Sequence, residues 1–327
     1  MHPPLRLGIA GAGHFGRFHA LKAAATPRVT LAGIYDTDSA RAVTVAGEVA
    51  SAVLPWEGLL AQSDAIVIAT PAEAHFALAA AALRAGKHVL VEKPIAATLA
   101  EADAMAALAA ERSLVLQVGH LLRYTAEHRA ITARMRRPVY IECVRIAPYK
   151  ARGTDVSVIL DLMIHDLDFV LSLVDSPIES VEAIGAPVAS AQEDIANARI
   201  RFANGCVATI TASRISLKTE RRMRLFGQEG YITVDFAARK LMMIGREHGV
   251  PMPVVDGGRM EEIAWEEQDA LAAEHLAFAA AVLDGAPVLV DAAAGRRALA
   301  AAIAVSEAMA VSMARATASG LISRLDR

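Results

Sequence analysis

The chain has 327 residues, which is enough for two domains of ordinary size, and 54% of them are hydrophobic. The formal net charge of −3 gives no reason to expect nucleic-acid binding. Two cysteines, Cys143 and Cys206, without a C-x-x-C pair disfavour a disulfide framework or a zinc cluster, and they fit a reducing cytoplasm. Charged residues interrupt the longest apolar stretches, so we expect no membrane span. A strand-like run begins so close to the N-terminus that we expect no signal peptide.

Apolar strands and helical segments alternate along the first third of the chain. Strands are predicted at residues 5–10, 29–35, 64–69, 88–92 and 114–118. Helices are predicted at residues 14–25, 39–48, 73–85 and 99–110. Because these strands lack polar alternation, they indicate a parallel sheet covered by helices on both faces. We therefore expect an α/β fold whose first domain spans residues 1–122.

The pattern changes after about residue 125. Strands are predicted at residues 139–146, 180–184, 198–202, 207–213, 223–226 and 231–234, with one helix at roughly 156–173. Several of these strands alternate polar and apolar residues, which favours an antiparallel sheet with one exposed face. Two further helices are predicted at residues 270–283 and 293–316. This second domain, residues 123–327, is expected to be an α+β domain for substrate binding and oligomerisation, with C-terminal helices that can pack back on the first domain.

A glycine motif lies between the first strand and the first helix. Gly11, Gly13 and Gly16 have the spacing that lets a dinucleotide pyrophosphate approach the backbone and a helix N-terminus. Asp36 ends the second strand, where a carboxylate can accept both ribose hydroxyls of NAD and would repel the 2′-phosphate of NADP. Arg41 keeps NADP possible, but NAD is favoured. The alternative interpretation is a glycine turn that serves packing alone.

Other residues are expected at the same crevice, because ligands of open α/β sheets bind at the carboxyl ends of the strands. Thr70 and Pro71 follow the third strand, and His120 follows the fifth. His75 lies in the first turn of the next helix, and a surface histidine is an equally good interpretation of it. The predicted cofactor-binding residues are Gly11, Gly13, His14, Phe15, Gly16, Asp36, Thr70, Pro71, His75, Glu92, Lys93 and His120.

Lys93 is a candidate catalytic residue. It follows an apolar strand and Glu92, and Pro94 restricts it to an extended backbone. A lysine at the mouth of a buried strand needs partners, and Glu92 can pair with it or contact the cofactor. A snorkelling lysine at a strand end is the alternative, but the position beside the predicted nicotinamide crevice favours a role in catalysis.

Asp161 and His165 are separated by four positions on the predicted helix and so share one face. An imidazole suits proton removal from an alcohol, and Lys93 beside the same oxygen could polarise it. Two alternatives stay open: Asp161 could only pair with His165 on a solvated helix, or the two could bind a metal together with Asp168. We expect no metal, because no second ligand cluster is evident.

These segments together resemble the Gfo/Idh/MocA family of oxidoreductases, and the resemblance covers nearly the whole chain. It rests on GAGHFG at residues 11–16, ATPAEAH at 69–75, EKP at 92–94 and DLMIHD at 161–166. The resemblance implies that Lys93, Asp161 and His165 serve catalysis. It also implies a Rossmann domain followed by an open, mainly antiparallel α/β domain, and homodimers or homotetramers built through the open sheet.

Three further segments are similar to family members that act on nucleotide sugars, in particular the UDP-N-acetylglucosamine 3-dehydrogenases. They are VGHLLRY at residues 118–124, DVSVILDLMIHDLD at 155–168 and ANGCVATITASR at 203–214. Many such relatives have phenylalanine and asparagine where this chain has Tyr124 and Thr125. The predicted substrate-binding residues are Lys93, Arg123, Tyr149, Arg152, Asp161 and His165, with Lys150 beside them. For the loop residues, exposed loop charge is the alternative interpretation.

The first hypothesis is therefore an NAD-dependent dehydrogenase that oxidises a sugar-ring CH–OH group, at C3 of a UDP-N-acetylglucosamine-type nucleotide sugar. A dehydrogenase of a free sugar, inositol or other cyclic polyol is the second. The third is a dinucleotide-binding sensor without catalysis, against which the presence of Lys93, Asp161 and His165 argues. The expected partner is a small molecule, with neither nucleic acid nor membrane.

Overall fold

The computed structural model describes residues 3–150, 156–245 and 260–320. These residues group into two compact units. The first contains the described part of Met1–Tyr124 together with Asp269–Leu299. The second contains the described parts of Thr125–Gln268 and Ala300–Arg327. The first unit is thus assembled from two stretches that lie far apart in the sequence.

A parallel sheet of five strands forms the centre of the first unit. The strands are β1 (Leu5–Ala10), β2 (Val29–Tyr35), β3 (Ala65–Ile68), β4 (His88–Glu92) and β5 (Leu116–Gly119), in the order β2-β1-β3-β4-β5. A single bridge adds Val53 beside Ile34 at the β2 edge. The strand order reverses between β1 and β3, and ligands of open parallel sheets bind outside the carboxyl ends of the strands at such a reversal. The parallel sheet predicted from the unalternated strands is confirmed.

Helices of the first unit bury an apolar core against this sheet. They are α1 (His14–Ala25), α2 (Ser39–Glu48), α3 (Trp56–Gln62), α4 (Ala72–Arg84), α5 (Leu99–Glu111) and, from the distant stretch, α8 (Ala270–Asp284). One core cluster combines Leu7 and Ile9 of β1 with Ala20 of α1 and with Phe278 and Ala279 of α8. Helix α8 is therefore part of the interior of the first unit.

The second unit contains a mainly antiparallel sheet of eight strands. They are β6 (Pro138–Ile146), β7 (Ile178–Ala186), β8 (Ile195–Phe202), β9 (Val207–Ser213), β10 (Glu220–Gly227), β11 (Gly230–Asp235), β12 (Lys240–Gly245) and β13 (Met260–Ala264). Their order is β13-β12-β11-β10-β6-β9-β8-β7, and β6 pairs with β9 in parallel. One face carries buried residues such as Ile141 and Leu225, which alternate with more exposed ones as predicted. Strands β12 and β13 were absent from the prediction.

The helix predicted at roughly residues 156–173 has two parts. A π-helical turn, Ile159–Met163, is followed by α7, Ile164–Leu173. A short helix that the sequence did not predict, α6 (Ala126–Thr132), precedes the sheet, and the Thr125 hydroxyl caps it by accepting the N–H of His128. The π turn contains Asp161, and the first turn of α7 contains His165.

Helix α9, Ala292–Ala318, is long and apolar enough to cross a membrane when judged only by length and composition. One such helix is weak evidence, because a core helix of a soluble protein passes the same test. Along α9, Ala298, Leu299, Ala302 and Val305 are buried inside the protein. Buried residues make up 33% of its most apolar 18-residue window, so α9 is buried along part of its surface.

Candidate active site

The glycine turn after β1 is held in close contact with the end of β3. Gly11 has a φ of +100°, and a Cβ atom there would lie 2.5 Å from the carbonyl oxygen of Ala69. At Gly16 a Cβ atom would lie 1.8 Å from the carbonyl oxygen of Gly11, so the turn and α1 can pack together only with glycine. Nothing lies within 4 Å of where a Cβ of Gly13 would be. The three glycines thus have the roles expected of a dinucleotide-binding turn.

The N-terminus of α1 is available to an anion. Gly13 is its N-cap, no side chain caps it among the described residues, and its first turn contains no acidic residue. His14 and Phe15 are exposed there. Helix N-termini bind phosphate through unsatisfied N–H groups and the helix dipole. These residues fit the pyrophosphate of a dinucleotide.

Asp36 lies at the carboxyl end of β2, next to the glycine turn. Its carboxylate accepts the N–H of Ala12 at 2.6 Å and the N–H of Asp38 at 2.8 Å, and Arg41 donates to it at 3.0 Å. Burial alone would raise the pKa of Asp36, but these donors hold it below the ordinary value. The carboxylate is therefore ionised and fixed, which suits hydrogen bonds to ribose hydroxyls.

His75 is buried, so its interpretation as a surface histidine is wrong. Its ring nitrogens lie 2.8 Å from the carbonyl oxygen of Pro94 and 2.9 Å from that of Thr70. Burial lowers the pKa of His75 and keeps the ring neutral. Because a neutral imidazole has one N–H, the ring donates to one of these two carbonyl oxygens and lies against the other, between the end of β3 and the segment after β4. Pro71, which follows Thr70, is exposed at this edge.

Glu92 and Lys93 end β4 at the same edge of the sheet. Glu92 is buried and Lys93 is half-buried, and the Lys93–Pro94 peptide bond is cis. The Nε2 atom of His19, on α1, lies 2.8 Å from Oε1 of Glu92, and the N–H of Lys93 donates to Oε2 at 3.2 Å. Both carboxylate oxygens of Glu92 are thus engaged inside the protein. This arrangement gives Glu92 a structural role, and the cofactor contact predicted from the sequence stays a prediction.

The fifth strand adds His120, which is buried directly after Gly119. A 3₁₀ turn, Leu121–Tyr124, follows and contains the largely buried Arg123. The predicted cofactor-binding residues therefore lie along one edge of the first unit, because the carboxyl ends of parallel strands share that edge.

In the second unit, Asp161 and His165 are half-buried on the consecutive turns described above. Asp166 points into the protein and pairs with Arg145 of β6 through two hydrogen bonds of 2.7 and 2.6 Å. This buried, bidentate ion pair fixes α7 on the sheet immediately beside His165. The sequence had not identified Arg145 as part of the site.

Among the predicted loop residues, Tyr149 is exposed, and so is Lys150. Arg152 lies outside the described residues. Lys93 and Arg123 belong to the first unit, whereas Tyr149, Asp161 and His165 belong to the second.

Comparison with protein families identifies the chain. A family model described as an oxidoreductase family with an NAD-binding Rossmann fold matches residues 5–120. A model of the GFO/IDH/MocA C-terminal domain matches residues 127–233. The chain belongs to the Gfo/Idh/MocA oxidoreductase family. The predicted family, the two-part fold and the NAD cofactor are confirmed, and the chain is an NAD-dependent oxidoreductase.

Individual members of the Gfo/Idh/MocA family support this assignment. The chain is 43% identical to UDP-N-acetylglucosamine 3-dehydrogenase from Acidithiobacillus ferrooxidans. The alignment spans 310 residues, which cover 93% of this chain and 97% of the relative. A solved structure of that enzyme has a TM-score of 0.87 at 41% identity and covers 94% of this chain and 98% of its own. The structure of scyllo-inositol dehydrogenase from Lactobacillus casei has a TM-score of 0.78 at 21% identity, and the match covers 94% of this chain and 98% of that one. This similarity shows the shared fold alone.

Some residues around the site carried no signal in the sequence. His19, Glu274 and His275 are buried in the first unit, and His19 contacts both Glu92 and His275. His19 could have been noticed, because it lies one helical turn after Gly16 on the same helix. Glu274 and His275 could not, because the expectation that C-terminal helices can pack back on the first domain did not indicate which residues of α8 face it.

Proposed function

We propose that this enzyme oxidises the C3 hydroxyl of a UDP-N-acetylglucosamine-type nucleotide sugar to a ketone, with NAD as the hydride acceptor. The observation that carries the proposal is the 43% identity to a UDP-N-acetylglucosamine 3-dehydrogenase over nearly the full length of both chains. Identity of this extent includes the second unit, which contains the candidate catalytic residues Asp161 and His165. We further propose that the enzyme acts in the cytoplasm.

Three side chains have separate roles in the proposed reaction. NAD, when bound, takes up the hydride that leaves the sugar carbon. His165 takes the hydroxyl proton, since an imidazole has an unperturbed pKa near neutrality. The ammonium of Lys93 donates a hydrogen bond to the same oxygen and stabilises the negative charge that develops on it. Asp161 supports the imidazole and the charge it gains. The glycine turn, α1 and Asp36 hold the dinucleotide.

Residues for the nucleotide part of the substrate are proposed from charge and position. Arg123 in the first unit is a guanidinium that suits a diphosphate. Tyr149, Lys150 and Arg152 in the second unit are the other candidates, as a ring for stacking and two cations. These residues should affect the KM for a nucleotide sugar more than the KM for NAD.

A substrate panel tests the proposed reaction. NADH formation is measured with UDP-N-acetylglucosamine and, side by side, with free N-acetylglucosamine, glucose, myo-inositol and scyllo-inositol. Turnover confined to the nucleotide sugar supports the proposal, and mass spectrometry of the product should show the loss of two hydrogens. Faster turnover of a free polyol would assign the chain to the second hypothesis instead.

Two variants test the proposed centre. Lys93→Ala and His165→Ala should each lower kcat by about 10²–10⁴-fold, the range typical of a lost acid–base group. Binding of NAD, measured by calorimetry, should change little. Lys87→Ala is the matched control, because Lys87 lies just before β4 at the opposite end of the strand from Lys93. Full activity in both test variants would eliminate the proposed centre.

We also propose a homodimer or homotetramer built through the exposed face of the second sheet. Phe226 on β10 and Met242 on β12 are exposed, and the pairing of both strands with β11 places their side chains on one face. Exposed apolar residues on a sheet face are typical of an interface. Light scattering coupled to gel filtration measures the mass, and Phe226→Glu should shift it towards the monomer.

A further inference from the structure

Four titratable side chains are buried together behind Lys93. His19 comes from α1, Glu92 from β4, and Glu274 and His275 from α8. His19, Glu274 and His275 are at most 1% exposed, and Glu92 is 7% exposed. Nδ1 of His19 lies 3.0 Å from Nε2 of His275, and Nε2 of His19 lies 2.8 Å from Oε1 of Glu92. One continuous chain of hydrogen bonds therefore links α8 through α1 to the strand that ends at Lys93.

Glu92 is the ionised member of this group. Burial alone would raise its pKa, but the hydrogen bond and charge of His19, followed by the charge of Lys93, hold the pKa below its ordinary value. Because a carboxylate only accepts hydrogen bonds, the hydrogen between the two groups belongs to Nε2 of His19. The other oxygen, Oε2, accepts the N–H of Lys93. The charge thus sits at a fixed place next to the lysine.

Glu274 has a different protonation state. It is completely buried, and neither of its carboxylate oxygens has a hydrogen-bond partner among the described residues. Ligand atoms of Glu274, His19 and Glu92 all lie within 4.8 Å of one another. Burial, and then the charge of Glu92, raise the pKa of Glu274 well above its ordinary value. Glu274 is therefore a neutral acid, because a second negative charge so close to Glu92 would be strongly unfavourable.

His275 is also neutral. Burial and the neighbouring His19 lower the pKa of His275 to about 3. Among the described residues, the titratable groups that interact with Glu92 are His19 from α1, His75 from α4, Glu274 from α8 and the adjacent Lys93, while His275 contacts His19. The two neutral side chains of α8 thus do not oppose the charge of Glu92, and His275 supports it only through His19.

We propose that His19, held in turn by His275, is a positioning residue that keeps the Glu92 carboxylate ionised and fixed beside Lys93, where its charge favours the lysine ammonium, and that Glu274 stays neutral so that it does not oppose this charge. This inference rests on the proposed function, in which Lys93 donates to the substrate oxygen. It assigns a catalytic consequence to α8, which lies about 180 residues beyond Lys93 in the sequence. Helix α1, proposed to bind the cofactor phosphates, is joined to Lys93 through the hydrogen bonds that Glu92 accepts from His19 and from the Lys93 N–H.

The state of Lys93 can be measured without any substrate. Acetylation of lysine by acetic anhydride requires the neutral amine, so its pH dependence, measured by mass spectrometry, gives a titration midpoint for Lys93. His19→Leu removes the donor that fixes Oε1 of Glu92, so the carboxylate should be held less firmly beside Lys93 and should favour the ammonium less. The midpoint of Lys93 should fall by about one pH unit, equal to about 1.4 kcal/mol. His19→Gln, which keeps a neutral N–H donor, should restore much of the shift.

Two further variants complete this experiment. His88→Gln is the matched control, because His88 begins β4 at the opposite end from Glu92 and its ring accepts the N–H of Val115. It should leave the Lys93 midpoint unchanged. His19→Asn, whose amide is too short to reach Glu92, replaces His19→Leu if that protein does not fold. In kinetics with the nucleotide sugar, the His19→Leu variant should lose kcat more than affinity for NAD and should show a narrower pH range of activity.

Glu274 is tested through the pH dependence of stability. A buried acid with a raised pKa stays protonated in the folded protein while the unfolded chain ionises, so stability falls as the pH rises above the ordinary glutamate value of about 4.3. Urea unfolding at several pH values should show a smaller fall for Glu274→Gln than for the wild type. Circular dichroism verifies that each variant is folded.

Three results would overturn the proposal. One is a Lys93 midpoint that does not move in the folded His19→Leu or His19→Asn variant. Another is an equal pH dependence of stability for Glu274→Gln and the wild type. The third is about one equivalent of a tightly bound metal in the purified wild type that disappears in Glu274→Gln, since Glu274 would then be a charged ligand. If the midpoint shifts but no nucleotide sugar is oxidised, the positioning network stands and the proposed function fails.

Discussion

Asp36 and Glu92 are both carboxylates at the end of a strand of the same sheet, yet their surroundings give them different roles. Asp36 accepts two backbone N–H groups and pairs with Arg41, an arginine that is itself exposed. Glu92 is enclosed by His19 and by the N–H of Lys93. The sequence identified both residues as contacts of the cofactor. Only the buried partners distinguish them, and a list of motifs does not contain that information.

Asp36 should determine the choice between NAD and NADP. Asp36→Ser removes the negative charge that would repel a 2′-phosphate and leaves Arg41 free to attract one. The ratio of kcat/KM for NADP to that for NAD should rise at least about tenfold, which corresponds to about 1.4 kcal/mol. Initial rates with each cofactor at saturating sugar substrate measure this ratio.

Asp38→Ser is the control for this substitution. Asp38 is an exposed acid two positions later, and its side chain caps α2 by accepting the N–H groups of Ala40 and Arg41. The Asp38→Ser substitution should leave the cofactor preference of the enzyme close to that of the wild type. An Asp36→Ser variant with unchanged preference would remove Asp36 from the ribose site.

At the scale of single elements, the segment that contains Asp161 is anchored by a buried ion pair. Arg214, at the end of β9, donates to Asp194 at 2.8 Å and to the carbonyl oxygen of Val156 at 2.9 Å. Asp194 also accepts the N–H groups of Val188, Ala189 and Ser190. These bonds fix the start of the π turn, on which the position of Asp161 depends.

Asp194→Asn should lower the free energy of unfolding by about 3–5 kcal/mol at neutral pH, because it leaves Arg214 buried without its counter-charge. Burial alone would raise the pKa of Asp194, but the backbone N–H groups and Arg214 hold it far below its ordinary value. The folded protein thus gains stability from this group above the ordinary aspartate pKa of about 3.9 and loses it as the pH falls further. The difference between wild type and variant should therefore shrink in acid. Urea unfolding at neutral pH and near pH 3 measures it.

Asp235→Asn serves as the comparison for this substitution. Asp235 is exposed and only caps a turn by accepting the N–H groups of Ala237 and Ala238. Its substitution should cost less than about 1 kcal/mol, the usual net contribution of a hydrogen bond, because the asparagine amide oxygen can still accept both N–H groups. Equal costs for the two substitutions would show that the Asp194–Arg214 pair does not anchor the segment.

The sequence predicted well the elements whose residues are largely buried, because burial requires apolar side chains and so leaves a pattern in the sequence. Strands β1, β2 and β4 are continuous apolar runs inside a parallel sheet, and their predicted bounds match the structure. Helix α6 and strands β12 and β13 were missed, because few of their residues are buried: two in α6, one in β12 and none in β13, which leaves little apolar pattern. The π turn was predicted as ordinary helix, since the spacing of apolar residues does not show whether each N–H bonds to the carbonyl four or five residues earlier.

At the scale of the whole molecule, the candidate site was predictable only where neighbouring strands of one sheet bring the residues together. Parallel strands bring their carboxyl ends to one edge, so motifs at Gly11–Gly16, Thr70 and Lys93 could be placed together before the structure was known. The contribution of α8 was not predictable in this way. Its residues Phe278 and Ala279 belong to the core of the first unit although more than 140 residues separate them from Tyr124. No pattern in the sequence of α8 indicates which elements it packs against.

This non-local packing predicts that a fragment of residues 1–124 cannot fold stably alone. Without α8, the apolar face of α1 around Ala20 and the core beside Ile9 would be exposed, and His19 would lose its contact with His275. Loss of a buried phenylalanine alone costs about 3–5 kcal/mol, a large part of the about 5–15 kcal/mol that stabilises a typical domain. Urea unfolding followed by circular dichroism should show no cooperative transition for this fragment.

Joining residues 269–299 to the fragment through a flexible glycine–serine linker should restore what the fragment lacks. The joined protein should unfold in one transition and bind NAD, because it contains the complete first unit. Phe278→Ala in the joined protein is the control that separates specific packing from the mere presence of a helix, and it should abolish most of the gain. A fragment of residues 1–124 that unfolds as cooperatively as the joined protein would instead make α8 dispensable for the first unit. It would also weaken the inferred link from α8 to Lys93, since a helix that adds no stability there cannot hold His19 in place.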